Sequence, residues 1–87
     1  MEQTQNKVFV GNLPYSVTDD TLGQFFAEVG EVVEAVVIMD RQSGRSKGFG
    51  FVTFAEAAAA AKAIEELNGK EMEGREIIVN EARPPQN

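Results

Sequence analysis

The chain has 87 residues, a formal net charge of −6, and neither cysteine nor histidine. This length suits one small domain, which buries roughly 60–65% of the surface that its unfolded chain exposes. Lack of cysteine excludes disulfides and thiolate sites, and lack of histidine excludes Ser-His catalysis and nearly all zinc sites. No apolar run approaches the roughly 20 residues that span a bilayer, and the polar first residues are unlike a secretory signal. We therefore expect a cytoplasmic domain with no cofactor, no metal and no membrane contact.

The first predicted strand covers residues 7–11, because its side chains alternate in character. Successive side chains of a strand point to opposite faces of a sheet. Val8 and Val10 therefore share one face, whereas Lys7 and Phe9 share the other.

A loop, a helix and a second strand follow. Tyr15, in the proline-containing loop, is predicted to pack at the sheet edge. Thr18 is a suitable N-cap for a helix whose apolar residues recur at helical spacing, and Gly30 is a suitable terminator. Residues 32–39 are β-branched and apolar over most of their length, which predicts the second strand.

The segment KGFGFVTF at residues 47–54 is the most informative part of the chain. It follows a polar, glycine-containing loop and predicts the second strand of a hairpin. One side carries Lys47, Phe49, Phe51 and Thr53, and the other carries Gly48, Gly50, Val52 and Phe54. Lysine and threonine prefer water, so this pattern places two phenylalanine rings on an open face of the sheet, where they are suited to stacking on nucleotide bases.

The last third of the chain predicts a second helix at residues 56–67 and a fourth strand at residues 75–82. An alanine run favours the helix, since alanine has the highest helix propensity. Residues 71–73 are predicted to form a short extended piece. In the fourth strand, Ile77 and Val79 are predicted to face inward.

The resulting order, βαββαβ, predicts an α+β domain of the split-βαβ, ferredoxin-like kind. Right-handed crossovers and the central hairpin give a four-stranded antiparallel sheet of strand order 4-1-3-2, with both helices on one face. The first and third strands are then neighbours, so Phe9 lies beside Phe49 and Phe51 on the uncovered face. We expect the domain to cover residues 7–83, between polar tails at 1–6 and 84–87.

The acidic net charge argues against nucleic-acid binding, because domains with that function are usually basic. The charges are unevenly distributed, however. The predicted helices carry Asp19, Asp20, Glu28, Glu56, Glu65 and Glu66, whereas the strands, the hairpin loop and the tail carry Lys7, Arg41, Arg45, Lys47 and Arg83. The acidic residues are thus predicted to coat the helical side, either for solubility alone or together with a more basic sheet side.

Residues 47–54 and the segment VFVGNL at residues 8–13 carry a resemblance to the RNA recognition motif family. The first segment fits the longer signature of that family at every position, and the second is similar to its shorter signature. The resemblance extends over residues 7–83. A one-domain chain of this length also resembles the small stand-alone members found in bacteria.

The resemblance implies single-stranded RNA as the partner and a role for each matching residue. Phe9 and Phe51 would each support a base, and Phe49 would press on the ribose between them. Lys47 would meet a phosphate, and Asn80 and Arg83 would contact base edges. Lys7 and Arg45 are further candidate RNA-binding residues, although Arg45 is alternatively a solvated loop charge. We expect a monomer that binds without catalysis, with single-stranded DNA left open as a ligand.

Three departures from the family pattern keep other interpretations open. Val36, Ile38 and Ile78 occupy outward positions where many members carry polar or basic groups. A protein-interaction module that uses this apolar face is the main alternative. The fold also occurs in acylphosphatase-type enzymes, although the loop after the first strand holds no arginine here. A further alternative places the three phenylalanines in the core.

Overall fold

The computed structural model describes residues 6–39, 42–44 and 46–82, and for Ser46 and Lys47 it describes the backbone alone. These residues form two helices and six strands. The helices are α1 (Asp19–Phe26) and α2 (Ala57–Leu67); the strands are β1 (Lys7–Gly11), β2 (Val32–Met39), β3 (Ser46–Phe54), β4 (Glu71–Met72), β5 (Arg75–Glu76) and β6 (Ile78–Glu81). Residues 1–5 of the predicted N-terminal tail and the whole predicted C-terminal tail, 84–87, lie outside the described residues. No described helix is long and apolar enough to cross a membrane.

Four strands form an antiparallel sheet in the order β2-β3-β1-β6. Because β6 is the fourth strand of this sheet along the chain, the order corresponds to the predicted 4-1-3-2. The α+β, ferredoxin-like fold class is therefore confirmed. The two strands that carry the signature segments, β1 and β3, are paired at the centre.

The predicted strand at residues 75–82 is divided in the structure. Its first two residues, β5, pair with β4 in a separate two-stranded sheet, whereas β6 pairs with β1. The turn between β4 and β5 contains Glu73 and Gly74, both with positive φ (51° and 89°). A two-residue turn with both φ angles positive matches the twist of a hairpin. Local pairing therefore takes Arg75 and Glu76 away from the main sheet.

The buried core lies between the two helices and one face of the sheet. Val8 and Val10 of β1 are 0% exposed, and Ile77 and Val79 face inward as predicted. The helices contribute Leu22, Phe26, Ala60, Ala63 and Leu67. Full burial of one large apolar side chain stabilises a fold by roughly 1.5–3 kcal/mol, so this layer provides most of the driving force for folding.

The first residue of α1 agrees with the sequence prediction, but its last residue does not. The Thr18 hydroxyl oxygen accepts a hydrogen bond from the backbone N–H of Thr21 at 3.2 Å, which confirms the predicted N-cap. The helix ends at Phe26, before the predicted terminator Gly30, and the Ala27 N–H is shared between two carbonyl oxygens of the last turn. A bifurcated bond of this kind is common at helix ends.

Asp19 connects the first turn of α1 to the outermost strand of the sheet. Its Oδ1 atom accepts a hydrogen bond of 2.7 Å from the backbone N–H of Val37 in β2. The same carboxylate lies at the positive end of the helix dipole. Asp19 therefore satisfies a backbone donor of an edge strand, which would otherwise be open to pairing with another chain.

Asp19→Ala is expected to lower the free energy of unfolding by about 1–2 kcal/mol, since it removes a charged acceptor and a favourable helix-dipole interaction. Asp19→Asn, which retains an acceptor oxygen, is expected to lose less. Urea denaturation followed by circular dichroism measures both changes. Equal stability of the alanine variant and the unmodified protein would contradict a stabilising role for this contact.

Candidate nucleic-acid interface

The face of the sheet opposite the helices carries a cluster of three aromatic rings. The cross-strand register places Phe51 opposite Phe9, and Phe49 opposite Gly11. The ring centroids lie 5.6 Å apart for Phe9 and Phe49, 5.8 Å for Phe9 and Phe51, and 6.4 Å for Phe49 and Phe51. These three residues, from segments about forty positions apart in the chain, are called the aromatic cluster below.

The aromatic cluster is not part of the core. Each of its rings is only half-buried. On the same two strands, Val8, Val52 and Phe54 are 0% exposed and face the helices. The alternative that places the three phenylalanines in the core is therefore wrong. The structure leaves three large apolar rings partly open to water, where burial would have been more favourable.

Gly11 lets the Phe9 ring extend along its own strand. A Cβ atom at position 11 would lie 3.0 Å from Cε2 and 3.3 Å from Cζ of that ring. Glycine is common where a strand needs close approach of another group. The absence of a side chain at Gly11 thus helps to keep the Phe9 ring flat against the sheet.

Lys7 places a positive charge beside the aromatic cluster. Its side chain is exposed, and its Nζ atom lies 5.2 Å from the centroid of the Phe51 ring. At this distance an ammonium group is attracted to the face of an aromatic ring. The same group can contact a phosphate whose base lies on Phe51.

Asn80 lies directly opposite Phe9 on the other neighbouring strand. Its side chain is exposed, and its Oδ1 atom accepts a hydrogen bond of 2.8 Å from the backbone N–H of Glu81. Because that N–H is a donor, the atom facing it must be the amide oxygen. The Nδ2 group is therefore the donor that Asn80 can offer to a ligand above Phe9.

Apolar side chains border the aromatic cluster on both sides. Val36 lies opposite Phe51 and is half-buried, as is Ile38, and Ile78 is 50% exposed. Glu34 also belongs to this face, since it pairs with Thr53. The sequence interpretation missed this carboxylate. Glu34 lies two positions before Val36 on the same strand, so alternation predicts that both side chains share the open face.

Tyr15 lies beside β3, since a Cβ atom at Gly48 would be 3.7 Å from its Cε1 atom, but the residue remains 66% exposed. The guanidinium carbon of Arg75 lies 6.0 Å from the centroid of its ring. The loop after β1, which contains Tyr15, is held to the β4–β5 hairpin by hydrogen bonds of the Asn12 and Ser16 side chains, with lengths of 2.6–2.8 Å. Tyr15 and Arg75 are sixty residues apart, and no local pattern in the sequence connects them.

Five of the eight sequence-predicted site residues are described with their side chains, and they share one face of the sheet: Lys7, Phe9, Phe49, Phe51 and Asn80. Lys47 belongs to β3 by its backbone, and its side chain lies outside the described residues. Arg45 and Arg83 also lie outside them. The structure therefore brings together the three aromatic positions, one lysine and one amide.

A four-stranded antiparallel sheet, covered by two helices on one face and carrying aromatic rings on the other, defines the class of open-faced α+β domains. Residues 8–78 match the RNA recognition motif, and the chain belongs to this family.

The relatives found for this chain match 88–95% of its length, whereas the chain spans only 24–56% of the length of those relatives. Glycine-rich RNA-binding protein 8 of Arabidopsis thaliana is 48% identical over 83 residues, which is 95% of this chain and 49% of that protein. The chloroplastic 29 kDa ribonucleoprotein of the same plant is 55% identical over 82 residues, 92% of this chain and 24% of that protein. Among solved structures, the Rna15 RRM with bound RNA (GU) superimposes with a TM-score of 0.80 at 30% identity, covering 88% of this chain and 82% of the other.

Proposed function

We propose that this protein binds single-stranded RNA on the open face of its sheet, with about two to four nucleotides in contact. The observation that supports this most is the aromatic cluster: three half-buried rings, with centroids 5.6–6.4 Å apart, on the one face that the helices leave uncovered. Bases stack on such rings whatever their sequence, because every base has a π face. Membership of the RNA recognition motif family supports the same proposal.

Each residue of the site has a role in this proposal. Phe9 and Phe51 each stack on a base, and Phe49 contacts the ribose between them. The basic residues Lys7, Arg45 and Lys47 contact phosphates, and Asn80 and Arg83 contact base edges. The position of Lys7, with its ammonium group 5.2 Å from the Phe51 ring, supports its part of this assignment.

The proposed role is binding and not catalysis. The predicted site residues that the structure brings together are aromatic rings, a lysine and an amide, which stack, attract phosphate and donate hydrogen bonds. Within the described residues, no group of three or more His, Cys, Asp or Glu side chains is placed to hold a metal ion.

Stacking is expected to contribute more to affinity than charge, because the net charge is −6 and Glu34 lies on the binding face. Two to four phosphate contacts predict a slope of log affinity against log salt concentration of about −1.5 to −3 for a single strand. Titrations with a random hexanucleotide RNA pool at several salt concentrations measure the slope. A slope steeper than about −5 would show that charge dominates instead.

The same RNA pool, titrated against isotope-labelled protein, tests the function itself. The amide signals of β1 and β3 are expected to shift, with those of α1 and α2 little changed. Signals of the sheet that stay unmoved would contradict the proposal. A DNA pool of equal length tests whether single-stranded DNA is also a ligand.

A protein-interaction module is the second candidate, favoured by the apolar border of the cluster. Ile78 is 50% exposed, and Val36 and Ile38 are only half-buried. If RNA leaves the amide signals of the sheet unchanged, the result supports a protein-interaction module over an RNA-binding protein. If RNA shifts them, the border extends the nucleic-acid site.

We also propose that the protein is a monomer in the cytoplasm, and both statements stay predictions. Sedimentation velocity measures the first, and fractionation of the source cells measures the second. Several relatives are named chloroplastic, which describes the location of those proteins.

A further inference from the structure

A surface pocket adjoins the aromatic cluster at the end where the loop after β1 meets the β4–β5 hairpin. Its volume is about 400 Å³, and its lining includes two members of the cluster. It is called the loop pocket below; the lining residues used here are Phe9, Asn12, Tyr15, Phe49, Arg75 and Ile78. Pockets of this size are large enough for small organic ligands.

The lining of the loop pocket contains two planar groups, and one lies over the other. The guanidinium carbon of Arg75 lies 6.0 Å from the centre of the Tyr15 ring. Stacked bases are spaced about 3.4 Å apart, so a base between two planes needs about 6.8 Å. Because the tyrosine ring and the guanidinium group are now separated by 6.0 Å or less, they would have to move apart by about 1 Å or more to admit a base.

Hydrogen bonds hold both groups in place without using the Tyr15 ring. Arg75 donates through Nη2 to Oδ1 of Asn12 at 2.8 Å, and Asn12 donates through Nδ2 to the carbonyl oxygen of Glu76 at 2.6 Å. Ser16 donates to a carboxylate oxygen of Glu73 at 2.6 Å. The loop is thus positioned by Asn12 and Ser16, and a site ordered in advance loses less entropy on binding.

We infer that the loop pocket binds the base of an additional nucleotide of the RNA strand that lies on the aromatic cluster. This inference rests on the proposed function. Phe9 and Phe49 line both surfaces, so a strand stacked on the cluster reaches the pocket without a break. Tyr15 leaves 66% of its surface exposed, which a ring with a purely structural role would bury. Arginine and tyrosine both stack on any base, and the guanidinium adds a positive charge.

The composition of the chain provides a specific signal for this site. Tyr15 is the sole tyrosine and there is no tryptophan, so intrinsic fluorescence reports on the loop pocket alone. A random hexanucleotide RNA pool is expected to quench this fluorescence, and a random dinucleotide pool, too short to cover both surfaces, is expected to quench it much less. N-acetyltyrosinamide titrated with the same pools corrects for light absorbed by the RNA.

Substitutions separate this inference from the proposed function. Tyr15→Ala is expected to weaken hexanucleotide binding by about 5- to 30-fold and to leave dinucleotide binding nearly unchanged. Tyr15→Phe, which keeps the ring, is the matched control and should bind as the unmodified protein does. Thermal melting of both variants checks that the fold is retained.

Each outcome bears on one statement. If the unmodified protein binds neither pool, the proposed function fails, and this inference fails with it. If it binds the hexanucleotides while Tyr15→Ala binds them equally well and the fluorescence is unchanged, the inference alone is overturned. Equal loss of dinucleotide and hexanucleotide binding in a folded Tyr15→Ala protein would also overturn it, since the effect would then lie on the aromatic cluster.

Discussion

Replacing Phe51 with alanine is expected to weaken binding of single-stranded RNA by about 5- to 150-fold and to leave the fold intact. The ring lies on the uncovered face, half-buried, beside the rings of Phe9 and Phe49 and the Lys7 ammonium group. Its removal therefore takes away one stacking surface and one partner of a cation–π contact. Fluorescence anisotropy with a labelled hexanucleotide RNA pool measures the loss of affinity.

Phe54 provides the matched control, because it lies on the same strand but faces the helices. It is 0% exposed, and its ring centroid is 6.3 Å from that of Phe26. Phe54→Ala is expected to cost about 3–5 kcal/mol of stability, as is usual for a buried aromatic residue. Phe51→Ala should cost less than about 1.5 kcal/mol, the range of an aromatic pair contact.

The comparison of the two variants can contradict the assignment of faces. If Phe51→Ala destabilises the protein as much as Phe54→Ala does, Phe51 contributes to the core and the stacking role is wrong. A folded Phe51→Ala protein with unchanged affinity would also contradict that role. Phe51→Tyr, which keeps an aromatic ring, is expected to retain most of the affinity.

The sequence predicted the central strands and the aromatic face well, because alternation is a local property. In residues 7–11 and 47–54 the two faces differ so clearly in polarity that a shift by one residue would bury Lys7 and expose Val8. The two sides observed for Phe9 and Phe51 are those predicted. The buried face of α1 was also predictable, because Leu22 and Phe26 recur at helical spacing. Both residues are buried in the structure.

The parts that the sequence did not predict depend on contacts between distant residues or on unusual backbone angles. Glu73 adopts a positive φ, which glutamate rarely does, so the hairpin that divides the fourth strand gives only a weak signal. An irregularity in the pairing of β2 with β3 leaves Val33 64% exposed, although its residue type favours burial. The pairing of Tyr15 with Arg75 requires the complete fold.

Because β2 approaches β3 closely at Gly50, a side chain at this position is expected to destabilise the protein strongly. A Cβ atom at Gly50 would collide with the carbonyl oxygen of Val36 and would lie 3.1 Å from the Cα atom of Val37 and 3.3 Å from Cδ2 of Leu22. Two of these three neighbours are backbone atoms of the paired strand, which cannot move without breaking the β2–β3 ladder. Gly50→Ala is therefore expected to lower the free energy of unfolding by about 3 kcal/mol or more.

Gly23→Ala is the matched control, since the same substitution at that position is expected to raise the free energy of unfolding. Gly23 lies inside α1, and a Cβ atom would lie 3.4 Å from the Cβ atom of Ala35 and 4.0 Å from Cγ1 of Val32, both ordinary contacts. Alanine in a helix interior is more stable than glycine by about 1 kcal/mol. Urea denaturation of both variants measures the difference, which should approach about 4 kcal/mol. Because β2 and β3 hold Val36 against Phe51, a Gly50→Ala protein as stable as Gly23→Ala would show that the two strands are not packed as closely as the site requires.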